Sequence, residues 1–539
     1  MPDDVSVHTP EQQARYRASG AWSGITLGAA VRRWSQERPD VLAVVDGADG
    51  REATYRELFE DASRVAGWMI EQGVRPGSGV SVQLPSRYET VVVDLAALLV
   101  GARLNPLLPN YRHKELRHFL DVSRAKVYVT PDTYRGFDHL DLARRLRDED
   151  GLSFTHLVVG AGGDADLTSV LRREPVTDLR DVDAEAISEL IFTSGTESLP
   201  KAVMHTEETV NHSVAATVEH LGLGDDDVVW MPSPVGHSTG FNFGVRLALM
   251  NGVTVVLQDR WDPSRAAQLI EQYGCTYTLA ASTFLSDLLR VAKKEGRDLS
   301  SMRSFGCGGA PVPAELVREA AALGVTVLRI YGSTEGLIIA WNQQSAAQQK
   351  REETDGLPPR GTEVQVWDGE GRQLPAGEVG ELVVRGPNVC VGFFDDPERT
   401  SATFTEDGWL RSGDLGIVDE DGYVAVVGRK KETIIRGGLN IAPREIEDLL
   451  VEMPGVKEVA VIGLADDRLG EIVAACIVPD DGATPELVDV VEYLRSREMA
   501  TYKLPQHVAL VRELPKTPTG KVRKTELVSE VHKRRGGSA

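Results

Sequence analysis

Apolar residues recur along the chain in short runs: Ala43 to Val45, Val80 to Leu84, Val127 to Val129, Leu157 to Val159 and Leu190 to Phe192. Runs of this length, bounded by turn residues, predict buried strands. Between them, Tyr55 to Gln72 and Glu89 to Leu99 space their apolar residues with a helical period. Strand and helix patterns alternate from about Leu27 onward, which predicts an α/β architecture with largely parallel sheets. Near Gly428 the pattern changes. Beyond it come a predicted helix over Pro443 to Glu452, strands over Val456 to Ile462 and Ile472 to Ile477, a helix over Pro485 to Glu498 and a last strand before the run KTPTGK. The expected organisation is a large N-terminal multi-layer α/β domain over residues 1–427 and a small mobile C-terminal α+β domain over residues 428–539. The charged stretch Gly428-Arg-Lys-Lys-Glu432 joins the two.

Length supports the division, since 539 residues exceed what one ordinary core holds. The best apolar run, Val91 to Val100, is interrupted by Asp94 and falls short of the roughly 20 residues a membrane helix needs. The first residues are polar and mixed in charge, unlike a targeting peptide, so a cytoplasmic location is expected. Cys275, Cys307, Cys390 and Cys476 are widely separated, which suggests neither a zinc site nor a disulfide framework and predicts buried thiols. A formal net charge of −22 disfavours nucleic acid and anionic lipid as partners. Any polyanionic ligand must then be received by a local basic or glycine-rich site.

Four islands carry candidate chemistry. Phe192-Thr-Ser-Gly-Thr-Glu-Ser-Leu-Pro-Lys201 is a strand entering a hydroxyl-rich turn, where Thr193, Ser194, Gly195, Thr196 and Lys201 can offer N–H groups, hydroxyls and an ammonium to phosphate oxygens. It lacks the glycine and hydroxyl spacing of a nucleoside-triphosphatase loop, and taken alone it reads as an ordinary turn. Tyr331-Gly-Ser-Thr-Glu-Gly336, with Gly308, Gly309, Ala310 and Pro311 upstream, can bring backbone close to a planar ring and offers Glu335 to a hard cation. Gly408-Trp-Leu-Arg-Ser-Gly-Asp414 supplies a carboxylate suited to a ribose diol. The fourth island groups Gly428 to Glu432, Arg436-Gly-Gly-Leu439 and Lys516-Thr-Pro-Thr-Gly-Lys521, whose cations sit in glycine- and proline-rich turns. Each island alone admits a structural explanation.

In this order the islands resemble the adenylate-forming superfamily of acyl-CoA synthetases, luciferases and adenylation domains, over roughly Arg15 to Leu527. The opening Arg15 to Trp22 is similar to the subgroup that activates aryl and alicyclic acids. The resemblance implies that a carboxylic acid attacks the α-phosphate of ATP to give acyl-AMP, which CoA then converts to a thioester. Thr334 would contact the α-phosphate or acyl carbonyl, and Glu335, with Thr196, would bind Mg²⁺. Tyr331 and the turn through Gly309, Ala310 and Pro311 would hold adenine, while Asp414 and Arg429 would bind the ribose. Lys521 would reach the carboxylate and α-phosphate. Lys431 would be the pivot of the small domain, and Gly437 and Gly438 would line a pantetheine tunnel. His237 would gate the acyl pocket, with Phe241, Phe284 and Ile338 as apolar walls. No aspartate precedes His237, so an apolar acid without an α-amine is implied. A bulky alicyclic or terpenoid acid comes first, then aromatic and fatty acids.

The chain departs from the family pattern at one place. Where relatives carry Thr-Thr-Gly-x-Pro-Lys-Gly, it has Thr196-Glu-Ser-Leu-Pro-Lys-Ala202: a carboxylate replaces a hydroxyl and two glycines are lost. Binding of acyl-AMP and CoA is therefore expected, and use of ATP and Mg²⁺ is in question. Three activities stay open: an acyl-CoA ligase performing mainly the thioester step on acyl-AMP made by a separate enzyme, a complete ATP-dependent synthetase, and a non-catalytic adenylate-binding protein. A carrier-protein thiol also remains open as acceptor in place of CoA.

Overall fold

The computed structural model describes residues 6–193, 200–308, 312, 314–436, 439–466, 468–480, 482–497, 499–517 and 521–536. The predicted apolar runs become strands of two eight-stranded sheets. The first has the order Leu337–Trp341, Val327–Ser333, Ser304–Gly308, Tyr277–Ala280, Val228–Met231, Thr254–Leu257, Leu42–Asp46, Glu52–Thr54. Its interior pairings are parallel and its two edge strands antiparallel. The second runs Gly392–Phe393, Lys201–Thr206, Ile187–Thr193, Arg103–Pro106, Gly79–Val82, Ala125–Pro131, Thr155–Val159, Ala165–Asp166, and is parallel from Ile187–Thr193 onward.

Alternation along the strands explains the layering. Val44, Val229 and Val255 share one core with Val80, Leu104 and Val127 of the second sheet, whereas Val45, Trp230 and Val256 point to a separate outer core. Helices Tyr55–Glu71 and Tyr88–Leu99 belong to the shared core and so lie between the sheets. Thr54 and Glu57 close a capping box at the start of the first of these. Every residue of Tyr88–Leu99 except Glu89 is buried, Asp94 included. Each fully buried Val or Leu contributes roughly 1.5–3 kcal/mol, enough in sum to carry one buried carboxyl, which burial pushes well above its usual range and so keeps uncharged.

A four-stranded antiparallel sheet follows (Glu363–Trp367, Gly380–Arg385, Leu410–Val418, Val424–Arg429). Gly428 pairs with Leu415 inside its last strand; the chain leaves this sheet only after Arg429, in a 3-10 turn over Lys430–Glu432. The smaller C-terminal unit has its own core and a five-stranded sheet. Its strands Val456–Asp466 and Gly470–Pro479 are longer than their apolar cores, because they pair along their whole length. Its helices, Pro443–Leu450 and Leu487–Ser496, are shorter than the sequence pattern suggests. Among the described residues no helix is long and apolar enough to cross a membrane. All four cysteines are buried with free thiols.

Candidate functional site

The carboxyl ends of several strands deliver the candidate residues. Ile187–Thr193 and Lys201–Thr206 pair antiparallel, with Thr193 opposite Lys201. Ser194, Gly195 and Thr196, and the departures at Glu197 and Ser198, lie outside the described residues. So do Gly309, Ala310, Pro311, Gly437 and Gly438. Ala202 is described and changes the picture: it sits within its strand opposite Phe192, 5% exposed, with its methyl in the core beside Phe119. Its replacement of glycine is a packing substitution and does not alter a phosphate loop.

Strands Val327–Ser333 and Leu337–Trp341 form a hairpin whose turn carries Thr334 and Glu335. Gly332 is required there, since a Cβ would stand 2.3 Å from the Leu337 carbonyl oxygen. Gly308 is explained likewise: a Cβ would meet Ile330, so its missing side chain is taken up by the neighbouring strand and not left for a ligand ring. The turn is fixed from two sides. The Cys390 N–H donates to the Glu335 carbonyl at 2.8 Å, and His205 Nε2 bonds the Thr334 carbonyl at 2.8 Å. A carbonyl only accepts, so Nε2 carries the proton, and burial holds His205 neutral by lowering its pKa to about 4. His205 and Cys390 escaped sequence reasoning; each acts through backbone groups, which leave no side-chain motif.

The Glu335 carboxylate is buried and forms an ion pair with the Lys201 ammonium. Burial raises its pKa, but Lys201, with the Glu335 N–H and Ser333 assisting, outweighs this and the net shift is downward. An ionised, buried oxygen donor fits Mg²⁺ in chemistry, with Lys201 already compensating part of its charge. Nearby, Tyr331 Oη donates to Asp414 Oδ2 at 2.9 Å, and Arg429 Nε lies 3.1 Å from Oδ1. Asp414 and Arg429 face each other across paired strands, which fixes their spacing. Asp414 is 4% exposed, and burial raises its pKa against the pull of Arg429. The Tyr331 ring is packed with Ile339, Ala340 and Leu410, so its hydroxyl orients Asp414 while little of the ring faces outward. Lys521 comes from the C-terminal unit, where its N–H bonds Thr517 Oγ1 at 3.1 Å. Burial lowers its pKa, Arg429 adds to this, and Glu432 and Asp414 oppose it.

The connector is anchored on both sides of Lys431. Lys430 Nζ reaches Glu381 of the four-stranded sheet at 3.0 Å, whereas Glu432 pairs with Lys524 at 3.1 Å and Lys524 with Glu447 at 2.7 Å. The residues on either side of Lys431 are thus held to different units.

For the acyl pocket, His237 caps the short helix Ser238–Gly240, its Nδ1 accepting from the Thr239 N–H at 3.2 Å. Burial lowers its pKa to about 4, so the neutral ring presents Nε2–H as a donor. Phe241 and Ile338 belong to the core between the sheets. Phe284 does not share that wall: it packs on the outer core, its ring T-shaped against Trp261 at 4.6 Å. The alternation of Tyr277–Ala280, which precedes its helix, separates those two faces. A cleft of about 710 Å³, lined by Arg87, Tyr134, Gln258 and Asp259 among others, opens elsewhere and borders none of Thr334, Glu335, Asp414 or Lys521.

Asp414→Ala is expected to weaken AMP binding by about 10- to 100-fold, since hydrogen bonds to a charged group are worth roughly 1.5–3 kcal/mol. Calorimetric titration with AMP checks this; unchanged affinity would remove Asp414 from the ribose site.

Residues 31–394 match the family model for AMP-binding enzymes, and residues 445–521 match that for the AMP-binding enzyme C-terminal domain. The medium-chain fatty-acid–CoA ligase of Escherichia coli (strain K12) is 36% identical over 534 residues, covering 97% of this chain and 94% of that protein. Among solved structures, ATP-bound MatB from Rhodopseudomonas palustris superposes with a TM-score of 0.85 at 30% identity, covering 94% of this chain and 99% of that one. The anthranilate CoA ligase AuaEII in complex with anthranoyl-AMP gives 0.87 at 26% identity, covering 95% and 98%.

Proposed function

The chain belongs to the AMP-binding enzyme family, and from that premise we propose that it joins an apolar carboxylic acid to coenzyme A by way of an acyl-AMP. The observation that carries this is the grouping of Lys201, Arg429 and Lys521 with the buried carboxylates Glu335 and Asp414: the charges of Arg429, Lys521 and Glu335 all act on Asp414. Such a grouping suits a ribose diol on one side and a phosphoryl group on the other.

In the first step the acid's oxygen attacks the α-phosphorus of ATP, a P–O bond forms, the bond to the β-phosphate breaks and pyrophosphate leaves. Lys521 and Lys201 neutralise the charge that gathers on the phosphoryl oxygens, and the neutral His237 donates Nε2–H toward the acid. Mg²⁺, where bound at Glu335, would neutralise phosphate charge further. In the second step the CoA sulfur attacks the acyl carbon, the carbon–oxygen bond to AMP breaks and the thiol proton passes to solvent. We place the division between mobile units after Arg429, two residues beyond the boundary expected at 427/428, and the rotation at Lys431, with Gly437 and Gly438 lining the thiol's path. Pyrophosphate exchange into ATP that depends on the acid, together with acyl-CoA formation from a synthetic adenylate, tests both steps. Absence of both would refute the proposal.

Within this function a narrower one is favoured by Glu197 and Ser198: thioester formation outpaces adenylation, and acyl-AMP comes from a separate enzyme. A carboxylate there opposes the β- and γ-phosphates of ATP, whereas acyl-AMP brings only its α-phosphate. Exchange as fast as thioester formation would overturn this and leave a complete synthetase. His237, Phe241 and Ile338 are consistent with an apolar acid, and an alicyclic, aromatic or fatty acid is the class to screen first.

Lys431→Pro is expected to hold the observed arrangement, because a fixed φ near −65° lies within the 3-10 range. Thioester formation from the synthetic adenylate should fall at least about tenfold, a barrier increase of about 1.4 kcal/mol, as followed by chromatography of the CoA product. A parent-like rate would place the pivot elsewhere.

A further inference from the structure

Behind the acyl gate lies a fully buried ionic network. Arg246 is 0% exposed and closes the π-helix Phe241–Arg246, which follows the His237–Gly240 turn directly. Its Nη2 donates to Glu189 Oε1 at 2.6 Å, its Nη1 to Glu207 Oε2 at 2.6 Å and Asn211 Oδ1 at 2.8 Å, and its Nε to Asn242 Oδ1 at 3.0 Å. Asn242 in turn donates to Glu189 Oε2 at 2.9 Å and to Ser238 Oγ at 3.3 Å.

The partners lie in instructive places. Glu189 is on the strand Ile187–Thr193 that leads into the hydroxyl-rich segment, and it pairs in register with His205, the residue bonded to the Thr334 carbonyl. Glu207 opens the helix that follows Lys201–Thr206, and its carboxylate also accepts from the Leu27 N–H and from Asn211. Ser238 is next to His237. One guanidinium thus ties the element beside His237 to the strand Ile187–Thr193 and to the helix that follows the strand Lys201–Thr206. A π turn, which inserts a residue and is often found at functional sites, brings Arg246 into this position.

We infer that Arg246, through Glu189 and Asn242, is a positioning residue that sets the spacing between the acyl gate and the adenylate-binding strands. This rests on the acyl-AMP function proposed above. A fixed spacing matters for a ligand that occupies both sides at once and not for either half alone, because linkage gains affinity only when the geometry lets both parts engage. Arginine is suited to the task, since its planar fork spans two carboxylates, which a lysine ammonium cannot do with the same geometry.

The test compares affinities for AMP and for the octanoyl, benzoyl and cyclohexanecarbonyl sulfamoyl-adenosines, stable mimics of acyl-AMP, in the full-length chain. The parent should hold at least one mimic more tightly than AMP; if it holds none so, the acyl-AMP function fails, and this inference with it. Arg246→Lys should weaken the preferred mimic at least about tenfold while AMP stays within about threefold. Because a lone buried Glu189 or Glu207 can unfold the chain, the triple change Arg246→Met, Glu189→Met and Glu207→Gln removes every charge of the network while leaving an acceptor for the Leu27 N–H, and should show the same split. Parallel loss of AMP and mimic in the folded triple variant, or parent-like affinity for the mimic, would overturn the positioning role.

Discussion

Glu197→Thr combined with Ser198→Gly is expected to raise acid-dependent pyrophosphate exchange about a hundredfold. At about 6 Å and an effective dielectric near 20, one carboxylate opposes one phosphate charge by roughly 3 kcal/mol, which is about two decades in rate. Thr193 and Lys201, paired across their strands, bracket the segment that holds both positions, and Lys201 is engaged with Glu335. Thioester formation from synthetic acyl-AMP should change little, since that ligand brings only the α-phosphate. The measurement is exchange of labelled pyrophosphate into ATP, run beside the thioester assay on the same preparations. An unchanged exchange rate would show that neither position limits adenylation.

Lys521→Ala is expected to lower adenylation by about 10²–10³-fold, the usual cost of removing one preorganised group from a developing oxyanion. Burial, with Arg429 nearby, already lowers the Lys521 pKa. A cation held partly out of water acts more strongly on a phosphoryl oxygen than an exposed one would. Acyl-CoA formation from the adenylate should remain within a few-fold of the parent, since the second step has no entering carboxylate to neutralise. Single-turnover measurement of each half separates the two effects, and equal loss in both would assign Lys521 a structural role. Arg523, two residues on in sequence and paired with Glu526, provides a surface-cation control.

Much of this layout was legible from residue order. Val44, Val80 and Val127 reveal strands because parallel strands bury both faces, and the ordered islands around Thr334, Asp414 and Lys521 supplied the candidate residues of the proposed site. Ala202 shows where the sequence misled: read against a glycine pattern it suggested damage to a loop, whereas its strand needs only a small core side chain. Phe284, expected in the acyl pocket for its apolar character, packs from the helix Ser282–Glu295 onto the outer core beside Trp261. Arg246 was invisible for another reason. In the run Val245-Arg-Leu-Ala248 a charge suggests a solvent face, and its partners Glu189 and Glu207 are 57 and 39 residues away, so no local pattern announces the network. His205 and Cys390 act on backbone atoms, for which sequence carries no motif.

The two anchors beside Lys431 are unequal in their contact with water. Lys430, whose side chain is 57% exposed, meets Glu381, whereas Lys524, 18% exposed, holds Glu432. Dissolved ions screen the first contact far more than the second. On the proposed pivot, ionic strength would act as a dial on the connector: in dilute buffer both ends would be clamped, and in brine the grip on the large unit would slacken while the small unit kept its hold. Added salt would then move the effective fulcrum toward Arg429, where the chain leaves its sheet, and lengthen the lever that carries Lys521.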